Sequence, residues 1–594
     1  MQPAQASSTT GSGGNRQLKR WGPIVGVAVV VAIGVGVIAA GGGDDDAAPV
    51  TTPAPPPTAG DTTGGSTETT GAQPDTTDTT PAGPDWTYPL SYSRAQELGV
   101  ADQIEWGDRC DTAIGRVAVP DFFAPECFAP FEGDNGGATD QGVTADEIVV
   151  VNYLGVQGDP VINYITDAVA VADTNDQQAE TMLDLVEYYH AFYELYGRRV
   201  KLINVEGTGI ATDDVAARAD AALIAEKYQP FAVLGGPALT SAFGDELAAR
   251  GILCIGCTPG QPTEFYAERD PLVWSLGTSA AQGQQHVIEY VTKQLVGGNA
   301  VHAGDAFVDT PRRFGYLYLD SSGASKPLAD SFAAAMAEAG APFAEVVVYA
   351  LDPATIQATA SQAISKMKSA GVTTIVFSGD PVAPRDFTRE ATAQEYFPEW
   401  VVAGSTLVDT NAFSRTYDQE QWQHAFGVTF GAVRTDTRSV GSYAVYTWFN
   451  GAEPPAPGRL PVMAPNPALF FAVLQGVGPN LTHETWRDAL FASPGTRQAI
   501  SQPYLTYGDK GYWGFTDYHG VDDATAFWWD PQASGPDELR KEGSGMWQFV
   551  DGGARYLPGE WPNEDRMFDP DGAEDIYLTP PPGEEAPQYP SPAG

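Results

Sequence analysis

The chain runs to 594 residues, more than one hydrophobic core usually supports, so it divides into at least two folded lobes. Hydrophobic residues make up 43% and aromatics 11%, enough to bury substantial cores and to exclude a wholly disordered protein. Against 32 Lys and Arg stand 76 Asp and Glu, a formal net charge of -44 that repels phosphate backbones and excludes nucleic acid as a partner.

In chain order, residues 1–20 form a short tail carrying Arg16, Lys19 and Arg20, and residues 21–40 (WGPIVGVAVVVAIGVGVIAA) are free of charge. At about 1.5 Å per residue this helix spans roughly 30 Å, the thickness of bilayer hydrocarbon. Basic residues before it and Asp44, Asp45 and Asp46 after it put the tail in the cytosol and the rest of the chain outside. The alternative is a cleaved signal peptide, because Ile38-Ala39-Ala40 resembles a small-residue cleavage site; the side of the membrane is the same.

Residues 41–84 are almost wholly Thr, Pro, Gly, Ala and Asp and offer no apolar face, which reads as a disordered tether. Stretched as polyproline II at about 3.1 Å per residue, such a spacer reaches on the order of 120 Å. Residues 85–142 hold Trp86, Trp106, Cys110 and Cys127 with poor periodicity, the pattern of an irregular extension. An oxidising compartment favours a Cys110–Cys127 disulfide over two buried free thiols.

From residue 143 the grammar changes. Ile148 to Val151 reads as a buried strand; Met182, Leu185, Val186, Tyr189, Phe192, Tyr193 and Tyr196 recur at helical spacing, with Gly197 placed to end that helix. Val200 to Val205 is a strand, Thr212 caps the next helix, and Phe231 to Leu234 and Ile252 to Ile255 continue the alternation. A second series starts at Phe314 with FGYLYL and runs through EVVVY, TIVF and WVVA with amphipathic helices between them. Strands separated by helices predict α/β architecture, a parallel sheet in each lobe. Ala526 to Trp529 and Met546 to Val550 read as paired strands, and 561–594 is an acidic, Pro-rich tail expected to fray.

The chemistry points to binding rather than turnover. The six histidines are dispersed, without a zinc-binding pair, and there is no G-x-S-x-G elbow and no phosphate loop; neither a metal nor a cofactor is expected. Parallel sheets gather ligand contacts at the carboxyl ends of their strands. There the chain places Val156 and Gln157; Pro237, Ala238, Leu239 and Thr240; Cys257 and Thr258; then Asp320, Ser321, Ser322 and Ser325, Gly379 and Asp380, Ser405 and Thr406. Glycines admit close backbone approach and hydroxyls exchange hydrogen bonds, although the same residues also cap turns and helices. The pair in LCIGCTPGQP reads as a core strand entering a cleft loop; Cys254 and Cys257 bridge only if Gly256 turns the chain tightly.

The succession GVTADEIVVVNYLGVQGD, VLGG, LCIGCTPGQP, LVWSLGTSAAQG, FGYLYLDSS and TIVFSGD resembles the extracellular substrate-binding proteins of ABC importers with the type 1 periplasmic-binding fold, the branched-chain amino-acid binding group. The likeness covers roughly residues 85–550. It implies two Rossmann-like lobes built from 143–278 with 432–504 and from 279–431 with 505–560, joined by crossovers near 276–279, 429–433 and 501–508. It also implies a small polar or amino-acid-like ligand, an ABC permease as partner and a monomer. In the family the loops matching Pro237 to Thr240 and Cys257-Thr258 hold a carboxylate, and an acid of the second lobe takes the ammonium. Here that loop reads Gly404-Ser405-Thr406, leaving Asp380 or Asp409 for the part, and no lipid-anchor cysteine follows the apolar segment. A ligand-sensing receptor or wall-associated binding protein would use the same cleft without transport, and an extracellular hydrolase would need Asp320 or Asp380 for turnover.

Overall fold

The computed structural model describes residues 86–166, 173–237, 239–258, 260–320, 325–352, 354–404, 407–436 and 441–594. The segments read above as tail, membrane helix and linker lie outside the described residues.

Two parallel sheets dominate. The first holds Glu147–Leu154, Arg199–Glu206, Ala232–Leu234, Leu253–Ile255 and Val273–Trp274, with the second strand at one edge, then the first, third, fourth and fifth. The second holds Phe314–Leu319, Glu345–Tyr349, Thr374–Ser378, Glu399–Ala403 and Ala425–Thr429 in the same 2-1-3-4-5 order. It then continues antiparallel through Ala524–Pro536 and Glu542–Phe549. The inner strands are short apolar runs buried on both faces, as AVL and LCI are, because helices cover each sheet on both sides.

One core combines residues from Val117 to Leu276 with residues from Tyr443 to Tyr518. The other two lie on either side of the second sheet and draw on 287–433 and 521–577. The chain thus passes between the sheets three times. The first and third passages lie side by side: Ser275 N–H donates to the Tyr518 carbonyl at 3.2 Å and Gly520 N–H to the Gly277 carbonyl at 3.2 Å. Arg555 adds the second passage, donating to the Gly431 and Phe430 carbonyls while paired with Asp523 at 2.7 Å.

Three expectations change. The helix Asn175–Phe192 stops five residues before Gly197, because Glu194 leaves the helical path to pair with Arg109 and accept from Phe131 N–H, which fastens the extension. The following helix is capped by Asp213, not Thr212: its carboxylate accepts from Val215 and Ala216 N–H, both at 3.0 Å. The stretch 561–594 does not fray. Trp561 is 2% exposed and donates to His286 Nδ1 at 3.0 Å; Ile576–Tyr577 pairs with Arg434–Thr435. Glu584 accepts from Ile500 N–H at 2.8 Å, and the Tyr589 hydroxyl reaches Asp111 at 2.8 Å.

The extension at 86–131 has a small core of its own, with Leu90, Trp106 and the Cys110–Cys127 disulfide, whose Cα atoms stand 5.7 Å apart. Among the described residues, the helical stretch Leu460–Val477 has the length and apolarity of a membrane span; its Phe470, Phe471 and Leu474 belong to the first core.

Candidate functional site

In a 2-1-3-4-5 sheet the connections diverge between the first and third strands, and a crevice opens at their carboxyl ends. In the first sheet that point lies between Leu154 and Leu234, in the second between Leu319 and Ser378. Val156 and Gln157 lie on the rim, half-buried and exposed. Pro237 is buried, and Leu239 N–H donates to the Ala211 carbonyl at 3.2 Å. Thr240 accepts from Ala242 N–H at 3.1 Å and donates to Asp214, so it fastens the start of the next helix. Cys257 and Thr258 are sealed inside the lobe.

Cys257 is bridged to Cys254, with Cα atoms 5.8 Å apart. Gly256 makes the turn that brings them together, at φ +68°, and a Cβ there would lie 2.5 Å from Asn466 Oδ1. No L side chain fits that turn without strain. The Thr258 hydroxyl faces the helix Ala242–Ala249 beside Gly244.

Across the crevice, Asp320 and Gly379 are buried and Ser325 is half-buried at the start of Lys326–Glu338. Asp380 is committed within its own lobe. Its Oδ1 accepts from Val382 and Ala383 N–H at 2.8 and 2.9 Å, and its Oδ2 from the Tyr349 hydroxyl at 2.8 Å. Burial pushes its carboxyl above the usual range while those bonds oppose the rise. Asp409 likewise accepts from Thr429. Ala238, Ser321, Ser322, Ser405 and Thr406 lie outside the described residues.

The contacts that cross the crevice come from side chains the sequence reading passed over. Tyr164, on the helix Pro160–Thr166 after the first strand, packs against the core of the second sheet beside Arg385; burial raises its hydroxyl pKa, and Asp386 and Asp380 add to the rise. A few residues on, Asp173 meets the field of Arg540, from the tip of the hairpin between Ala524–Pro536 and Glu542–Phe549. The Arg540 guanidinium also lies 5.1 Å from the centre of the Tyr443 ring of the first lobe. The strand ends of the two lobes therefore share one crevice, bridged at two points.

The chain has the type 1 periplasmic-binding fold. Twin 2-1-3-4-5 sheets, antiparallel strands closing the second and three passages between them define it. Solved structures give low-identity likenesses. An ABC transporter substrate-binding protein from Sphaerobacter thermophilus matches at 11% identity and TM-score 0.48, covering 70% of this chain and 100% of that one. The leucine-, isoleucine-, valine-, threonine- and alanine-binding protein from Brucella ovis, in closed conformation, matches at 10% and 0.48, covering 73% and 100%. A solute-binding protein of an ABC transporter from Rhodopseudomonas palustris HaA2, in complex with p-hydroxybenzoic acid, matches at 10% and 0.47, covering 70% and 98%. No protein-family model and no curated protein matches.

Proposed function

We propose that the chain is an extracellular solute-binding protein, tethered through residues 21–40, that closes its lobes on a small polar or amino-acid-like molecule and presents it to an ABC permease. One observation supports this reading: Tyr164, on the helix after the first strand of one sheet, lies against Arg385, on the helix after the third strand of the other. A ligand held by both lobes favours the closed population, because its free energy of binding is collected only when both sets of loops touch it. The protein binds and releases its ligand without transforming it.

The experiment purifies the protein natively, releases bound small molecules with solvent and identifies them by mass spectrometry. Returning the released compound is expected to raise the melting temperature and shrink the radius of gyration. No released compound, together with a radius unmoved by a broad solute panel, overturns the reading.

A further inference from the structure

Arg459 stands at the start of the helix Leu460–Met463, whose Leu460 packs in the core of the first lobe. Its backbone N–H donates to Asp173 Oδ2 at 2.7 Å, fixing where the side chain begins. The guanidinium is different. Its buried Nε has no hydrogen-bond partner, and it forms no ion pair among the described residues. Burial lowers its pKa, with only the charge of Asp173 opposing.

Other buried guanidiniums of the chain are held. Arg312 pairs with Glu399 at 2.9 Å, Arg434 with Glu538 at 3.0 Å, and Arg198 donates to the carbonyls of Thr144 and Pro479, both at 2.8 Å. With 76 acidic side chains against 32 basic ones, a carboxylate was available for nearly any arginine. A buried charged donor without a partner destabilises a fold, so its persistence at a crevice calls for an occupant that satisfies it.

A second cation approaches from the other lobe. Arg540, at φ +61° on the hairpin tip, acts on Asp173 as Arg459 does and has no ion pair among the described residues. Arg459 and Arg540, one from each lobe, thus both act on Asp173. Asp173 is spent on backbone: it accepts from Arg459 and Gly458 N–H. The planar donor fork of arginine suits a bidentate oxyanion better than any neutral acceptor.

We propose that Arg459 and Arg540 form an oxyanion site in the crevice, taking a carboxylate or phosphoryl group of the ligand and engaging fully only when the lobes are closed. The inference rests on the solute-binding reading and adds the charge class of the solute. Because the fork is divided between the lobes, the anion itself draws the hairpin toward the first lobe.

The test uses the full-length protein in detergent, with calorimetry and small-angle scattering. The probes are 4-hydroxybenzoate, L-isoleucine, phenyl phosphate and the uncharged 4-hydroxybenzamide. At least one charged probe is expected to bind and shrink the radius of gyration while the amide does not; which one binds separates a carboxylate from a phosphoryl ligand. Arg459→Gln and Arg540→Gln should each weaken that probe by about tenfold or more, with Arg459→Lys restoring part of the loss. Circular dichroism confirms that the variants fold. Equal binding of the amide, undiminished binding by Arg459→Gln, or binding by none of the charged probes overturns the oxyanion site. If the amide closes the lobes the solute-binding reading stands without it; a radius unmoved by every probe and by the released native compound defeats both.

Discussion

The passages between the lobes enclose two carboxyl groups whose titration should be visible in stability. Asp522 is fully buried and Asp517 is 1% exposed, and the two hydrogen-bond each other. Asp517 Oδ2 accepts from Gln282 Nε2 at 2.9 Å; Asp522 accepts from the Thr506 hydroxyl at 2.6 Å and from Trp513 Nε1 at 2.7 Å. Burial raises Asp517 to about 7, and burial together with the Asp517 charge raises Asp522 to about 8. In the unfolded chain both ionise near pH 4, so between pH 4 and 8 the native state holds more protons. Their stabilising contribution is therefore complete below pH 4, falls as the pH rises through this window, and is gone above about 8.

For Asp522 the rise from 3.8 to about 8 is about four units, so its ionisation costs the native state on the order of 5 kcal/mol at pH 9. The perturbation is Asp522→Asn, which keeps the shape and the contacts to Thr506 and Trp513 without the charge. Urea denaturation at pH 5, 7 and 9 is expected to show the wild type losing several kcal/mol relative to the variant over that span. His286 and His519, held neutral by burial, pull the opposite way as the unfolded chain loses its protons near pH 6.5, which is why the difference between the two proteins is read rather than either slope. Parallel curves for wild type and variant refute the reasoning.

Two further outcomes are open to direct measurement. Gly404, at φ +64°, leaves room for the Phe430 ring, and a Cβ there would lie 2.1 Å from it; Gly404→Ala should lower the melting temperature, with a loss of about 1–3 kcal/mol by calorimetry, while Gly297→Ala, with open space around it, should cost less. Replacing Cys110 and Cys127 together by Ser removes a crosslink spanning 17 residues and should cost about 3 kcal/mol, read as earlier proteolysis of 86–131 while the paired strands of the first sheet keep their protection in hydrogen exchange.

Sequence and structure agree where burial is continuous. Ile148 to Val151 and the runs LCI and TIVF are strands, short β-branched and apolar runs that suit a parallel sheet covered on both faces. The loops after them could be read because parallel topology sends those ends to one rim. What those loops do was less legible: Thr240 and Asp380 look like ligand contacts in a string of letters, yet both serve helix starts in their own lobe. Tyr164, Arg385, Arg459 and Arg540 gave no signal, because their partners are set by how two lobes meet, hundreds of residues apart in the case of Asp173 and Arg540. A polar residue between two strand runs, such as Arg540, reads as an ordinary turn. The segment after Trp561 misled for a related reason: single aromatics and backbone bonds fasten it, without the periodic apolar face that marks a helix or strand.

That segment also bears on how the molecule is assembled. The Tyr589 hydroxyl meets Asp111 across 478 residues of sequence, and Trp448 donates to the Tyr589 carbonyl at 2.9 Å. A chain synthesised from its amino end must therefore keep the small disulfide-bearing module around Asp111 waiting until almost everything else has emerged. The last stitches are made between the earliest and the latest parts of the chain, and such distant closures are slow to form.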